Sequence, residues 1–219
     1  MKSNKLIRIS ILLLIILFFI YFVITNFKAF TNLKIVNPHY LPAILIIFIL
    51  NYYLIGLTTK HLLIPMNIKL SNIESFKLSI ITGFYNLITP LRGGAVARAF
   101  YLKRKHNFPY SDFLGSLAAS YILIFLVSSF LGILSIILIY LNKGIFSLVL
   151  FLIFLVILLI LSSIIIFSPR FKEKENKFLN QFIRTANSWH IIKNNSKVIK
   201  IIVLITFIQL TLSTYMLLL

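Results

Sequence analysis

The sequence predicts an all-α polytopic membrane protein with about five transmembrane helices, a re-entrant helical hairpin and a cytoplasmic interfacial amphipathic helix. Three observations carry this. The 219 residues are 60% hydrophobic with a mean hydropathy of +1.01. Long uncharged runs recur along the whole chain. Charged residues make up 12%, about half the share usual in a soluble domain. Only Glu74, Asp112, Glu173 and Glu175 are acidic, against 22 lysines and arginines, which leaves a formal charge of +18. In a soluble protein that charge would point to nucleic acid. Within so apolar a chain it does not, and no nucleic-acid partner is expected. The absence of cysteine rules out disulfides, thiol catalysis and cysteine-bound zinc.

A span needs about 20 apolar residues to cross a hydrocarbon core about 30 Å thick. The first candidate runs from Leu6 to Phe27. Its basic start resembles a signal peptide, but the apolar run is too long and no small-x-small cleavage site follows, so an uncleaved span is expected. The second runs from Leu41 to about Thr58, with Pro42 in its first turn, where proline is tolerated. The third, about Phe113 to Leu141, exceeds the membrane thickness and must tilt or protrude. The fourth covers Ile145 to Phe167, and the fifth begins near Ile201 and is still apolar at Leu219.

The basic residues orient these spans. Three lie in the N-terminal tail, three in 60–77, five in 92–105 and eight in 168–200, so 19 of 22 share one side if the N-terminus is cytoplasmic. Residues 60–77 and 103–105 then both face the cytoplasm, although the segment between them is largely apolar. A re-entrant hairpin over 73–105 resolves this. Its first arm opens with the capping box Ser71-Asn72-Ile73-Glu74, in which Ser71 and Glu74 reciprocally satisfy free amides. Phe76, Ile80, Phe84 and Leu87 recur along one face. The chain turns at 89–94 and returns from Ala95 to Lys103, about 13 Å of helix, or half the hydrocarbon depth. Non-helical backbone at that depth needs a protein or water lining, so the tip should line a cavity. Residues 168–197 form the interfacial basic helix, with Phe171, Phe178, Phe182 and Trp189 near multiples of 3.6, joined by Leu179, Ile183 and Ala186. Its basic face attracts anionic lipid, though a topology determinant merely resting on the membrane has the same pattern.

The densest polar cluster in an apolar context is Asn86 to Arg98. Pro90 stops a helix, and Gly93 and Gly94 permit a tight turn. A helix restarting after Gly94 turns free amides toward the tip, which favours an anion. Arg92 and Arg98 add guanidinium forks suited to phosphate. The ligand so described is a phosphate-bearing lipid head group, held by Arg92, Gly93, Gly94 and Arg98 in a cavity lined by Asn86, Thr89 and Pro90. The plainer alternative is ordinary turn chemistry with arginines that snorkel to the interface.

The pattern Asn86, Pro90, Arg92-Gly93-Gly94, Arg98 and Leu102-Lys103-Arg104-Lys105, followed by a Ser111-led helix, resembles the transmembrane region of lysylphosphatidylglycerol synthases, the flippase-like integral membrane family. The resemblance covers about residues 40–165. It implies a lipid-handling membrane module. Members often carry an acid just after the glycines and an Arg-plus-acid pair in the next helix; here Ala95 and Ser120-Tyr121 stand there. The family is also usually longer, so this chain is expected to be truncated or a fragment.

His39, His61, His106 and His190 show no metal-binding spacing, and there is no Walker loop or GxSxG. No cofactor, metal or catalytic residue is expected. The largest stretch between spans, about 168–200, is too short for an aminoacyl-transferase core. The leading expectation is a lipid-binding or flippase-like module of the cytoplasmic membrane with anionic or phosphate-bearing lipids as partners. The alternatives are the membrane part of a transferase acting on phospholipid or polyprenyl-phosphate, with catalysis on a separate subunit, and a structural assembly protein. Because the chain lacks cysteine, single cysteines introduced at positions 103 and 193 report topology directly. Both are expected to react with a membrane-impermeant maleimide only from the cytoplasmic side; labelling of position 103 from outside would contradict the hairpin.

Overall fold

A computed structural model describes residues 13, 16–27, 38–89, 93–167, 170–172 and 177–217. All regular elements among them are helical. Contacts divide the chain into two compact units, Met1–Pro42 and Ala43–Leu219. The first contains helix α1, Ile16–Thr25, whose Thr25 hydroxyl donates to the Tyr21 carbonyl at 2.9 Å. The expected span from Leu6 begins outside the described residues.

The remaining helices are α2 (Leu41–Leu63), α3 (Asn72–Ile88), α4 (Gly94–His106), α5 (Tyr110–Lys143), α6 (Leu148–Phe167), α7 (Lys177–Lys193) and α8 (Ser196–Met216). Four stretches are long and apolar enough to cross a membrane: Pro38–Met66, Tyr110–Lys143, Leu148–Phe167 and Ser196–Met216. The chain is therefore an all-α, multi-pass membrane protein.

Local chemistry explains where the helices stop. α2 continues past Thr58 into the 3-10 turn Ile64–Met66, which ends where Asn67 adopts φ 61° and donates to the Ile64 carbonyl. Its polar end is held by Lys60, whose Nζ lies 2.6 Å from Asn72 Oδ1. α4 stops at Asn107, φ 53°, just before Pro109, and its last turn carries Lys103, Arg104, Lys105 and His106, favourable to the helix dipole. α5 has 34 residues, about 51 Å of helix, and ends at Gly144 with φ 69°.

Two apolar cores hold the second unit together. Leu63, Leu70, Leu78, Ala99, Leu102, Phe108 and Phe113 join the hairpin α3–α4 to the ends of α2 and α5. Leu62, Ala119, Leu123, Trp189, Ile192, Val198 and Ile202 join α2, α5, α7 and α8. α8 is tied again to α2 by the Ser213 hydroxyl, 3.2 Å from Asn51 Oδ1. α6 has no buried residue; Phe154 lies against Gly132 of α5, Ile165 packs on the second core, and Lys193 Nζ of α7 donates to the Ile166 carbonyl at 3.0 Å. The many exposed apolar side chains face what, in a bilayer, is hydrocarbon.

α7 does more than rest on a surface. Its Ser188, Trp189 and Ile192 are buried, and Ser188 donates to Asp112 Oδ1 at 2.9 Å. The Thr185 hydroxyl donates to the Ser111 carbonyl at 3.2 Å. The apolar stripe divides because α5 begins level with Thr185. N-terminal to that point Phe182 is 62% exposed and Leu179 is exposed too, while Phe171 lies outside the helix, its amide donating to Asn187 Oδ1 at 3.1 Å and its carbonyl accepting from Asn187 Nδ2 at 2.8 Å. Asp112 therefore serves both the α5 dipole and the α7 contact.

The close approach of α7 depends on Gly115. A Cβ there would fall 2.5 Å from Ser188 Cβ and 2.7 Å from the Thr185 carbonyl oxygen. Gly115→Leu is expected to destabilise the bundle by about 1–3 kcal/mol through overpacking. A lower thermal midpoint in detergent, with faster hydrogen exchange concentrated in α7, checks this.

Candidate functional site: the hairpin and its two faces

α3 and α4 pack against each other as an antiparallel pair. Asn72 begins α3 because Ser71, in extended conformation, caps it: Ser71 Oγ accepts from the Glu74 amide at 3.1 Å. The reciprocal half of the capping box is not made. Glu74 instead turns its carboxylate onto α4, where Oε1 accepts from Tyr101 Oη at 2.7 Å and from Lys105 Nζ at 2.9 Å. His106 Nε2 also lies 2.9 Å away. Three partners on the neighbouring helix outcompete one local amide. Among the described residues, Glu74 is the acid of every ion pair.

The side of α3 facing α2 is polar. Ser79 donates to the Tyr52 carbonyl at 2.6 Å, which lets the two helices approach closely. α3 ends at Thr89, extended at φ −110° and ψ 140°, as expected for a residue before proline. The Thr89 hydroxyl donates to the Tyr85 carbonyl and accepts from the Gly93 amide at 2.9 Å. Asn86 Oδ1 accepts from the Gly94 amide at 2.9 Å. Here glycine is required for space: a Cβ on Gly94 would sit 2.0 Å from the Thr82 carbonyl oxygen.

These bonds change the reading of the tip. The Gly93 and Gly94 amides, expected to face an anion, are taken by Thr89 and Asn86. Those two side chains, expected to line a cavity, close the turn. Pro90 and Arg92 lie outside the described residues.

Arg98 is placed away from the tip. Its guanidinium is enclosed by α2, α4 and α5, where Nη1 donates to Thr59 Oγ1 at 3.0 Å and the carbon of the fork lies 5.6 Å from the Phe113 ring centre. Its Nε is buried without a hydrogen-bond partner. The space beside it, bordered by Ser116 and Ser120, is about 10 Å³, close to the limit for one water. No carboxylate pairs with it among the described residues.

Gly93 lines a different and larger space. A groove of about 790 Å³ runs along the outer face of the hairpin, with Val96, Phe100 and Arg104 on one wall and Ile81 and Tyr85 on the other. The split follows from helix geometry. Val96, Phe100 and Arg104 recur at i, i+4 and i+8, whereas Arg98 lies about 200° around the axis from Val96. The residues grouped in sequence as one site thus occupy two faces. Arg104 and Lys105, which sequence reasoning treated as the end of a helix, border the groove; the i+4 spacing from Val96 was the available signal. Among the described residues no cluster of three metal-ligating side chains occurs.

The fold and this hairpin define a multi-pass α-helical membrane module. The chain matches the family model "Lysylphosphatidylglycerol synthase TM region" over residues 6–219, and it belongs to that family. No curated protein and no solved structure matches it.

Glu74 is the testable base of the hairpin. Burial alone would raise its pKa, but hydrogen bonds from Lys105, His106 and Tyr101 outweigh that and lower it from 4.5 to about 2. Its stabilisation is therefore complete above pH 4.5 and disappears as the pH falls through 2. Glu74→Gln is expected to destabilise the hairpin by about 1–2 kcal/mol at neutral pH. Acid titrations of both proteins, followed by hydrogen exchange in α4, should show the difference vanish near pH 2.

Proposed function

We propose that this protein is a lipid-binding, flippase-like module that holds a phosphate-bearing lipid head group at the hairpin 73–105. The observation that carries the reading is Arg98. A guanidinium enclosed between three helices without a carboxylate partner calls for an anion, and ionisable groups at membrane depth are usually functional. Membership of a family described by a phospholipid synthase supports lipid as the source of that anion. Arg92, immediately before the glycine pair, supplies the second fork. The small volume beside Arg98 makes this arrangement a closed one. α4 touches α5 far less than it touches α3, so the hairpin separates from α5 as a unit when the head group binds.

In this reading the protein sits in the cytoplasmic membrane with its N-terminus inside, and the hairpin enters the bilayer from the cytoplasmic side without crossing it. The family description also favours a second reading, in which the chain is the membrane part of a transferase whose catalysis lies on another polypeptide. Co-purification of a transferase subunit from the native membrane would favour that reading.

The test uses the full chain in liposomes containing phosphatidylglycerol. Arg92→Ala with Arg98→Ala is expected to reduce head-group binding and scrambling at least about tenfold, the factor for losing about 1.4 kcal/mol. Arg98→Lys, which keeps charge but loses the fork, should fall between. Unchanged binding and scrambling in the double variant would refute the reading and leave a structural role.

A further inference from the structure

The outer groove of the hairpin has chemistry of its own. Its long walls are apolar and open: Val96 is 71% exposed and Phe100 58%, facing Ile81 and Tyr85 across the groove. Both of its cations sit at the base of the hairpin, away from the tip at Gly93. Lys105 is paired with Glu74 at 2.9 Å, so that pair is neutral together. Arg104 has no hydrogen bond or ion pair among the described residues, and the exposed Lys77 stands with Lys105 at the same end, so positive charge here exceeds what Glu74 balances. A volume of about 790 Å³ falls within the roughly 300–1,000 Å³ of small-molecule sites.

An apolar trough ending in net positive charge fits one kind of occupant: a long apolar chain ending in an anionic group. We propose that the groove seats an anionic phospholipid, its phosphodiester at Arg104 and Lys105 and one acyl chain along Phe100 and Val96 toward Gly93. This direction rests on the hairpin reading given above, in which its base lies at the cytoplasmic surface and its tip in hydrocarbon. An inner-leaflet lipid then has its phosphate and chain where the groove has its cations and apolar walls. A zwitterionic head group brings its own cation to the same end, where Arg104 opposes it. Free phosphate satisfies Arg104 but leaves the walls unfilled. The groove is separate from Arg98, which faces α2 and α5.

The experiment uses the full chain in nanodiscs carrying either phosphatidylglycerol or phosphatidylcholine with a diazirine midway along one acyl chain. Crosslinked residues are mapped by mass spectrometry. Phosphatidylglycerol is expected to label Ile81, Tyr85, Val96 and Phe100 about fivefold more than phosphatidylcholine, the scale of one basic contact near the membrane surface. Arg104→Gln should abolish that preference, and Arg104→Lys should restore most of it. Millimolar inorganic phosphate should leave the labelling unchanged. Equal labelling by the two lipids, a preference that survives Arg104→Gln, or displacement by free phosphate would each overturn the proposal. Groove labelling in the Arg92→Ala, Arg98→Ala protein distinguishes the two readings. Preserved labelling with unchanged scrambling refutes the role of Arg92 and Arg98 and keeps the groove. A preference that survives Arg104→Gln, with scrambling lost in the Arg92→Ala, Arg98→Ala protein, does the reverse.

Discussion

A buried backbone amide must find its partner within the protein, and the hairpin depends on how that constraint is met at Gly93 and Gly94. Two short side chains solve it. Asn86 takes the Gly94 amide and Thr89 takes the Gly93 amide, so the chain reverses with these polar groups paired to the arm it has just left. Gly94 must then lie against the Thr82 carbonyl, and no side chain fits. This closure brings α4 alongside α3 and puts Tyr101, Lys105 and His106 within reach of Glu74 at the far end. The hairpin is fastened at both ends by different physics: neutral hydrogen bonds at the tip, charge-assisted ones at the base.

Everything else on the hairpin follows from the angular position of residues on α4. Leu102 and Ala99 meet the first core, Arg98 turns toward α2 and α5, and Val96, Phe100 and Arg104 face outward. A thirteen-residue helix thus presents a packing face, an enclosed cation and an open groove.

The fold was largely legible because hydropathy acts over 20 residues at a time. The segments from Leu41, Phe113 and Ile145 anticipate α2, α5 and α6 to within a few residues, and the punctuation by Pro90, Asn107-Pro109 and Gly144 is local chemistry. The site was less legible. Asn86 and Thr89 were noticed for their polarity, but whether they face a ligand or the chain's own amides depends on the path of the turn. Glu74 was read through its local partner Ser71, and sequence spacing alone did not disclose three competitors some thirty residues away. The docking of α7 was hidden for a similar reason: an amphipathic stripe looks the same against lipid as against Ala119 and Leu123.

α6 differs from its neighbours in having no buried residue. Its twenty residues span about 30 Å, close to the thickness of the hydrocarbon. It is held along its length all the same: Phe154 lies against Gly132 of α5, Ile165 packs on the second core, and Lys193 Nζ donates to the Ile166 carbonyl at 3.0 Å. The last turn of a helix leaves carbonyls without partners, and here a cation from α7 takes one of them. The C-terminal end of α6 is thus fixed by a charge on a different helix, and α7 links that end to the bundle.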